Sequence, residues 1–573
     1  MRNSDARDRV LDALCQNPEI SVLIIGAGIN GIATFRDLAL QGIDVLLIDQ
    51  ADFCSGASAA SSHMIHGGIR YLENGEFRLV REAVHERNNL LRNAPHYVKP
   101  LSTTIPIFKW FSGIFNAPLK FLGWRNKPTE RGALVIKLGL LMYDAYTRLQ
   151  GSVPKHTWAF RKQSLEKYPQ LNPAIMCTAT YYDAMIPTPE RLGLELILEA
   201  EAVSPGARAL NYMQAIAADK DGVRLKDEFS DETLMVKPKI VINAAGPWID
   251  FANAALGLKT KMVGGTKGSH LVLDHPQLRS AIGEQEFFFE NKDGRIVLLF
   301  PLMDKVLVGT SDIRIEDPSE ARCTQEEIDY FLTMIEKVFP QIKVTASDIV
   351  FTYSGVRPLP SSASSLTGQI SRDHKIDVIE SGGQIHFPIL CLIGGKWTSF
   401  RAFSEEVTNV VLERLGLERL VTTKHLAIGG GKGYPRDENA REALLTARGE
   451  ETALPRQRLI TLFERYGTRF KEVASFIDAG RDEVLSQHAD YSQREIAFLV
   501  GEEKIIHLDD LVLRRSLIAM LGELTPELLD ELAQIVGESL GWSDEEVLAE
   551  VQRTAAILQD KHAVSLGKTR STP

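Results

Sequence analysis

The sequence has only five cysteines among its 573 residues, and none of them forms a CxxC or CxxxC pair. This spacing excludes a compact zinc or iron–sulfur cage and gives no disulfide framework. It favours reduced thiols in a cytoplasmic protein, and no metal site is expected. The five are Cys15, Cys54, Cys177, Cys323 and Cys391.

Long apolar runs and an excess of positive charge are also missing. The longest candidate, "GALVIKLGLLMYDAY", is interrupted by Lys137 and is shorter than the ~20 residues that span a bilayer. The first twenty residues lack the basic-then-apolar order of a signal peptide. A net charge of −10 gives no general attraction to nucleic acid or anionic lipid. We therefore expect no nucleic-acid partner, and membrane contact only from one side.

The overall composition is that of a soluble globular protein. Apolar residues make up 44% and charged residues 24% of the chain. The length predicts two or three domains.

The clearest motif is "VLIIGAGINGIATFRDLALQGIDVLLID", residues 22–49. A buried apolar strand leads into Gly26, Gly28 and Gly31, which have the GxGxxG spacing of a turn that brings backbone and a helix N-terminus against a pyrophosphate. A second apolar strand ends in Asp49, where such folds place the acid that accepts the ribose hydroxyls. The acid disfavours a 2′-phosphate and hence NADP. This unit alone leaves NAD and FAD open.

Two further apolar strands end in glycine, in "PKIVINAAGPWID" (residues 238–250) and "FPILCLIGGKWTSFRAFSEEV" (residues 387–407). Ligands of open α/β sheets lie beyond the carboxyl ends of the strands, so three such ends can meet on one long cofactor. Nicotinamide enzymes usually complete this domain in one contiguous block, so the scattered segments favour FAD.

The remaining patterns predict two other units. Alternating stretches over residues 262–312 predict antiparallel strands. Helical apolar spacing beyond residue 427, a helix starting at Thr525-Pro526-Glu527 and a capping box of Ser543 with Glu546 predict a separate helical domain. The expected fold class is α/β: a Rossmann-like FAD-binding domain interleaved with an antiparallel-sheet substrate domain, followed by a helical domain.

Several motifs together resemble the FAD-dependent glycerol-3-phosphate dehydrogenases of the aerobic, quinone-linked type. Besides the glycine turn they are "SSHMIHGGIRYLENGEFRLVREA", "INAAGPWID", "TKGSHLVL", "GTSD", "YSGVRPL" and "GGKWTSFR". They occur in order from about residue 20 to 405, and the helical tail is also similar to that family's C-terminal domain. The resemblance implies FAD, a phosphorylated polyol substrate and quinone as electron acceptor.

The resemblance also implies roles for individual residues. Arg357 and His270 would lie nearest the reacting hydroxyl, as alkoxide stabiliser and proton acceptor, and His66 would lie close to the flavin. The expected grip on the substrate and its phosphate comes from Arg70, Tyr71, Lys396 and Thr398. The expected cofactor contacts are Gly26, Gly28, Gly31, Asp49, Ser61, Ser62, Gly246, Gly394 and Gly395.

The chemistry of alcohol oxidation agrees with this set. Loss of a hydride from carbon and a proton from oxygen requires a base or a cation beside the oxygen. A phosphate requires cations that are spared from salt bridges, for which Arg70, Arg357 and Lys396 are candidates at turns and strand ends. We also expect a helix to open at Lys396, with its positive end near the flavin.

Three positions depart from the family pattern. His63 stands where lysine is common, and Trp397 and Phe400 stand where leucine and tyrosine are common. Trp397 and Phe400 are expected to wall the substrate pocket. The exact substrate is therefore left open between sn-glycerol 3-phosphate and a four-carbon polyol phosphate such as erythritol phosphate.

The stretch "IFKWFSGIFNAPLKFLGWRNK", residues 107–127, mixes tryptophan, phenylalanine, lysine and arginine without acids. That composition suits the lipid headgroup zone, and an insertion packed on the protein's own surface is the alternative. The chain is expected in the cytoplasm or peripherally on the inner face of the cytoplasmic membrane. The sequence leaves open whether it forms a homodimer.

The expected FAD-dependent oxidoreductase region covers residues 20–427. Its FAD-binding segments are about 20–105, 205–260 and 345–427, and its substrate segments about 130–204 and 261–344; residues 428–573 form the helical domain. Alternatives to the quinone-linked dehydrogenase are an oxidase that uses oxygen and a protein that holds flavin only structurally.

Overall fold

A computed structural model describes residues 3–68, 76–110, 133–147, 153–291, 296–361, 373–383 and 385–567. Its strands are, in chain order, β1 (Glu19–Ile25), β2 (Val45–Ile48), β3 (Met64–Ile65), β4 (Lys99–Ile107), β5 (Thr157–Phe160), β6 (Cys177–Met185), β7 (Ala207–Leu210), β8 (Met213–Asp219), β9 (Gly222–Asp227), β10 (Thr233–Asn243), β11 (Thr266–Leu273), β12 (Gln285–Glu290), β13 (Ile296–Leu302), β14 (Lys305–Gly309), β15 (Ile313–Arg314), β16 (Ile349–Arg357), β17 (Lys375–Ile379) and β18 (Ile389–Ile393).

The α-helices are, in chain order, α1 (Asn3–Gln16), α2 (Ile29–Leu40), α3 (Phe77–Asn93), α4 (Ala133–Thr147), α5 (Arg161–Lys167), α6 (Pro189–Val203), α7 (Ile249–Ala255), α8 (Pro276–Ile282), α9 (Gln325–Val338), α10 (Phe400–Leu415), α11 (Glu438–Glu451), α12 (Arg456–Tyr466), α13 (Phe470–Asp478), α14 (Gln493–Glu502), α15 (Leu508–Asp510), α16 (Pro526–Leu540) and α17 (Asp544–His562). A π-helical turn, Leu511–Arg515, follows α15.

The first sheet carries the glycine turn. Its strand order is β17-β18-β10-β1-β2-β7, with β18, β10, β1, β2 and β7 parallel and β17 antiparallel on the edge. β9 pairs antiparallel with the first half of β10, and β8 pairs antiparallel with β9. The apolar run of β1 is buried on both faces, because Val22 and Ile24 pack on one side and Leu23 and Ile25 on the other. The parallel sheet that the sequence predicts is thus confirmed.

Helices cover both faces of this sheet. One layer, which includes α2, α6 and α10, contributes Phe35, Leu196 and Phe403 to the core. The opposite layer includes α1 and α7, through Leu14 and Ile249.

The second sheet is largely antiparallel. Its order is β15-β11-β14-β13-β12-β4-β6-β3, with β16 paired along the other side of β11 and β5 paired to β6. Only β4 and β12 pair in parallel among its described strands. β11 to β14 fall in residues 262–312, so the antiparallel strands expected there are confirmed.

The division of strands between the two sheets does not follow the boundaries expected between the FAD-binding and the substrate segments. β3, β4 and β16 fall within the expected FAD-binding segments, yet they lie in the second sheet. The assignment of segments as functional units stays a prediction.

The C-terminal helices pack on the second sheet. Their core includes Phe463, Leu499 and Leu529 and continues into Phe300 and Phe351 of the sheet. The N-terminal caps confirm two predictions from the sequence. Thr525 caps α16, which opens with Pro526, and Ser543 forms a capping box with Glu546 at the start of α17. No helix among the residues that the structure describes is long and apolar enough to cross a bilayer.

Candidate active site

The glycine turn between β1 and α2 requires glycine at two of its three positions. Gly26 has φ +106°, and a Cβ there would lie 2.7 Å from the backbone of Ala244 and Ala245 at the end of β10. A Cβ on Gly31 would lie 2.0 Å from the carbonyl oxygen of Gly26. Gly28 caps α2, and the next amide, on Ile29, donates to the Ser58 hydroxyl at 2.9 Å.

Asp49 lies at the end of β2, beside this turn. Its carboxylate accepts hydrogen bonds from the amides of Ala27 at 2.7 Å and Ala51 at 3.0 Å. Burial raises the pKa of the Asp49 carboxyl to about 6, while these two amides oppose the rise. The acid is therefore fixed against the turn, where the sequence places it.

The three strand ends that the sequence singles out lie side by side. β1 pairs with β10, and β10 pairs with β18, so their carboxyl ends share one edge of the sheet. The Asn30 amide, in the first turn of α2, donates to the Gly394 carbonyl at 3.2 Å. Gly394 and Gly395 have φ of +78° and +94°, and a Cβ on Gly395 would lie 2.5 Å from the Asn30 side chain. Gly246 has no neighbour within 4 Å of its Cβ position.

The segment after β18 differs from the expected helix start. Residues 397–399 form a turn, and α10 begins at Phe400 rather than at Lys396. The half-buried Lys396 therefore lies in the approach to this turn. Thr398 is buried, and its hydroxyl accepts from the His66 amide and donates to the His66 carbonyl, both at 3.1 Å. Thr398 thus joins this turn to the turn that carries His66.

A buried charged cluster holds the other side of the His66 turn. The Gly67 amide donates to Asp183 at 2.8 Å, and Asp183 also accepts from Tyr143 and Arg87. A Cβ on Gly67 would lie 2.0 Å from the Tyr143 hydroxyl. The position therefore requires glycine.

His270 lies in β11, with only 2% of its surface exposed. Its Nε2 forms a 2.9 Å hydrogen bond with the Ser62 hydroxyl, and its ring stacks on Tyr353 at 4.6 Å between centroids. Burial and the positive charge of Arg357 lower the pKa of His270 well below its usual value, with a smaller effect from His63. The imidazole is therefore neutral at pH 7 and can accept a proton.

His63 packs near Tyr353, the residue on which His270 stacks. It is fully buried, its Nδ1 bonds to the Pro187 carbonyl oxygen at 3.0 Å, and its ring lies 6.0 Å from that of Tyr353. Burial lowers the pKa of His63 to about 4. The neutral His63 ring thus occupies the position at which the FAD-dependent glycerol-3-phosphate dehydrogenases commonly have lysine.

Arg357 ends β16 on the same face as His270, because β11 and β16 pair His270 with Tyr353 and Thr266 with Arg357. Its guanidinium donates to the Thr310 hydroxyl at 3.0 Å and the Ser311 carbonyl at 3.2 Å, and it lies 3.3 Å from Asp312. The expectation of a cation spared from salt bridges is wrong for Arg357. The acid in "GTSD" forms the ion pair.

Trp397 and Phe400 are largely buried, although the sequence predicts that they wall the substrate pocket. They are 8% and 2% exposed and belong to the core beneath the first sheet. The Trp397 indole donates to the Ser58 carbonyl at 2.9 Å, which fixes the loop that supports Ile29. They offer little surface to a substrate, so they give no reason to prefer a four-carbon compound.

Arg70, Tyr71 and residues 111–127 of the aromatic, basic stretch lie outside the described residues. The structure adds nothing to their expected roles.

The described residues suit an extended dinucleotide. The first amides of a helix lack acceptors within the helix, so the start of α2, apart from the Ile29 amide that donates to Ser58, offers donors to a pyrophosphate. Asp49 offers carboxylate oxygens to ribose hydroxyls, and the open space at Gly246 leaves room beyond the sheet edge. Ser61 and Ser62 are partly exposed on the loop that faces this edge, and the Ser61 carbonyl accepts from the Tyr353 hydroxyl at 2.8 Å.

Comparisons with known proteins agree with this architecture. Residues 21–399 match the family described as FAD dependent oxidoreductase, and residues 421–547 match the C-terminal domain of alpha-glycerophosphate oxidase. A glycerol-3-phosphate dehydrogenase of Synechocystis sp. is 31% identical over 565 residues, which cover 94% of this chain and 96% of that protein.

A D-erythritol 1-phosphate dehydrogenase of Brucella abortus is 29% identical over 518 residues, 86% of this chain and 93% of that protein. The X-ray structure of the glycerol-3-phosphate dehydrogenase from Bacillus halodurans, complexed with FAD, aligns with a TM-score of 0.73 at 23% identity over 99% of both chains. That likeness shows a common fold along the whole chain.

Proposed function

Since this chain belongs to the family of FAD-dependent oxidoreductases, we propose that it oxidises sn-glycerol 3-phosphate to dihydroxyacetone phosphate. The observation that carries the proposal is a buried His270 on the same strand face as Arg357, bonded to Ser62 in the loop that also carries Ser61. A protein that held flavin only structurally would not need this pair beside the cofactor edge.

His270 is the proposed proton acceptor. The reaction breaks the C2–H and O–H bonds of the substrate and forms a carbonyl; bound FAD would supply the acceptor for the hydride. We assign the hydroxyl proton to His270 Nε2, because the 2.9 Å bond to Ser62 marks it as the ring nitrogen that faces the loop. The lowered pKa leaves the His270 ring unprotonated at pH 7, as a proton acceptor must be, and also makes it a weaker base than a free imidazole.

Arg357 is the proposed stabiliser of the developing alkoxide. A guanidinium held at a fixed place stabilises negative charge without reorganisation during the reaction. Thr310, Ser311 and Asp312 hold it there. The Asp312 carboxylate reduces the net charge, which suits a transient alkoxide better than the tight binding of a phosphate dianion.

The proposed grip on the phosphate therefore rests on Lys396, Arg70 and Tyr71. Thr398 is assigned an indirect role, because its hydroxyl is engaged with both backbone groups of His66. In this proposal it positions His66 near the flavin. The proposed contacts to FAD are Gly26, Gly28, Gly31, Asp49, Ser61, Ser62, Gly246, Gly394 and Gly395.

Anaerobic addition of sn-glycerol 3-phosphate to the full-length yellow protein tests the reaction. We expect the visible absorption band of the flavin to bleach, as flavin reduction requires. Arg357→Gln and His270→Gln should keep FAD but bleach at least ~10²-fold more slowly. A wild-type protein that stays yellow in excess substrate would identify a structural flavoprotein instead.

A four-carbon polyol phosphate is the second candidate substrate, favoured by the Brucella abortus relative of that name. One extra hydroxymethyl group changes binding by only ~1–3 kcal/mol. The ratio of kcat/KM for sn-glycerol 3-phosphate and D-erythritol 1-phosphate, measured with a soluble quinone analogue, decides between them. A clear preference for the four-carbon compound would transfer the proposal to it.

Quinone is the proposed electron acceptor, and oxygen is the alternative because the C-terminal match is to an oxidase domain. The rates of flavin reoxidation by a soluble quinone and by air-saturated buffer can be compared in one stopped-flow experiment after anaerobic bleaching. A faster reaction with oxygen, with hydrogen peroxide as product, would mark an oxidase.

A membrane surface is the proposed place of that reaction. Leu134, Leu138 and Leu141 of α4 are each more than half exposed and recur at helical spacing on one face. The aromatic and basic residues 107–127 precede this helix in the chain. Exposed leucines beside such a segment suit the edge of a bilayer, where a lipid-soluble quinone is found.

The triple variant Leu134→Ser, Leu138→Ser, Leu141→Ser should sediment with anionic vesicles to a smaller extent than the wild-type holoenzyme, without loss of FAD. The matched control replaces Leu417 and Leu420, which are 49% and 74% exposed elsewhere, with serine. Equal sedimentation of all three proteins would refute docking by α4. Analytical ultracentrifugation of the same samples tests the homodimer.

A further inference from the structure

A buried ionic cluster joins the loop after β2 to the C-terminal helical domain. Asp52 is 0% exposed, and Arg515 binds it in bidentate fashion, with NH1 2.6 Å from Oδ2 and NH2 3.0 Å from Oδ1. Arg514 Nε donates to the same carboxylate at 2.5 Å. Although burial opposes ionisation, the charges of Arg515 and Arg514 lower the pKa of Asp52 and keep it ionised.

The local backbone of the helical domain explains how two consecutive arginines reach one carboxylate. Both end the π-helical turn Leu511–Arg515, a rare geometry that is frequent at functional sites. Arg514 also binds Asp509 at 2.7 Å and Asp510 at 2.6 Å, so its head group is fixed from both sides. The Arg515 Nε donates to the Glu503 carbonyl at 3.0 Å.

The loop that Asp52 anchors is in direct contact with the glycine turn. The Cys54 amide donates to the Ala27 carbonyl at 2.9 Å, and the Ala27 amide donates to Asp49 at 2.7 Å. Both backbone groups of Ala27, between Gly26 and Gly28, are therefore bound by residues within three positions of Asp52. A shift of this loop would move the Asp49 carboxylate and the turn together.

We propose that Arg514 and Arg515 of the helical domain are positioning residues for the adenosine end of FAD, acting through Asp52 on the loop that carries Asp49. The inference rests on the proposed role of Asp49 as the ribose acceptor. It gives the C-terminal helical domain a function in cofactor binding. That domain supports the cofactor site through the loop after β2.

Arg515→Gln and Arg514→Gln in the full-length holoenzyme test this inference. On dilution, the fluorescence of released flavin gives the Kd for FAD, which we expect to rise at least about tenfold, equivalent to about 1.4 kcal/mol. Arg515→Lys keeps the charge but loses the bidentate geometry, so an intermediate Kd is expected. The matched control is Arg469→Gln, which removes another charge between the same domains. Arg469 lies 3.4 Å from Glu195 and 3.8 Å from Glu503, and among the described residues it makes no hydrogen bond or ion pair with the loop.

The pH dependence of the Kd for FAD distinguishes a specific effect of Arg514 on Asp49 from a general loosening of the interface between the domains. The charged side chains that act on Asp49 are Asp52 and Arg514, and Arg514 holds the pKa of Asp49 down. Arg514→Gln should therefore move the pH midpoint of FAD binding upward, whereas Arg469→Gln should leave it in place. Loosening of the domain interface alone would weaken binding equally at every pH.

The results separate failure of this inference from failure of the proposed site. Asp49→Asn that binds FAD as tightly as wild type would overturn the ribose assignment itself. A weakened Asp49→Asn together with wild-type affinity in Arg514→Gln and Arg515→Gln would overturn only the inference. Circular dichroism checks folding, and if the glutamine variants do not fold, unchanged affinity in Arg515→Lys overturns it.

Discussion

Gly268 offers the sharpest test of where Arg357 lies. It stands between His270 and Thr266 on β11, and the Arg357 side chain crosses the space above it. A Cβ at Gly268 would lie 2.4 Å from NH2 of Arg357 and 2.6 Å from the Thr310 hydroxyl. Ordinary contacts begin at 3.4 Å, so Gly268→Ala must displace the guanidinium by about 1 Å.

The expected effect is on catalysis more than on folding. The atoms that must move are the ends of flexible side chains, so stability should change little. A misplacement of about 1 Å in a group that stabilises the transition state costs ~10²-fold in rate. We expect Gly268→Ala to lower kcat/KM about 10²-fold, which corresponds to about 2.7 kcal/mol.

Flavin reduction in anaerobic stopped flow, with FAD content measured by absorbance, is the assay. Gly501→Ala is the matched control, because a Cβ there meets no neighbour within 4 Å and alanine favours the helix. The same glycine substitution is then made in the Arg357→Gln background. If the alanine methyl acts by displacing Arg357, it should have almost no further effect there. Full additivity of the two changes would refute the reasoning.

Three further predictions follow from the site. Ser62→Ala removes the hydrogen bond to His270 Nε2 and should slow flavin reduction about fivefold, from a loss of ~1 kcal/mol, with FAD retained. Lys396→Met should raise the KM for the phosphorylated substrate, while the ratio of FAD to protein stays the same. The carboxylate is the form of Asp49 that accepts ribose hydroxyls, so FAD affinity should be full above pH 6 and fall about tenfold per unit below it. An affinity that is flat between pH 7 and pH 5 contradicts this.

The sequence predicts those parts of the site that arise from local backbone geometry. Gly26, Gly31 and Asp49 belong to one βαβ unit, in which spacing alone fixes the turn and the acid. The convergence of Gly246 and Gly394 with that turn is also predictable, because parallel strands share one carboxyl edge. These predictions require no knowledge of side-chain packing.

The parts that the sequence does not predict are pairings between distant segments. Ser62 and His270 are 208 positions apart, and no local pattern indicates their bond. Trp397 and Phe400 follow a glycine turn in sequence, yet they pack in the core with residues of distant segments such as Ile32 and Leu196. Asp312 is part of the "GTSD" motif, but its pairing with Arg357 depends on how β14, β15 and β16 all pair with β11.

Segments that are distant in the chain hold the glycine turn and the loop after β2 in place. The backbone of Ala244, at the end of β10, leaves no room for a Cβ at Gly26. The Asn30 side chain in α2 leaves no room for one at Gly395. The loop after β2 is held in turn by arginines 462 and 463 positions later in the chain. The first βαβ unit therefore contains the glycine motif, but several of the contacts that fix the geometry of this motif come from other segments. Because β10, β18 and the helical domain supply that support, we expect the cofactor site to form only once the chain has folded to its last domain.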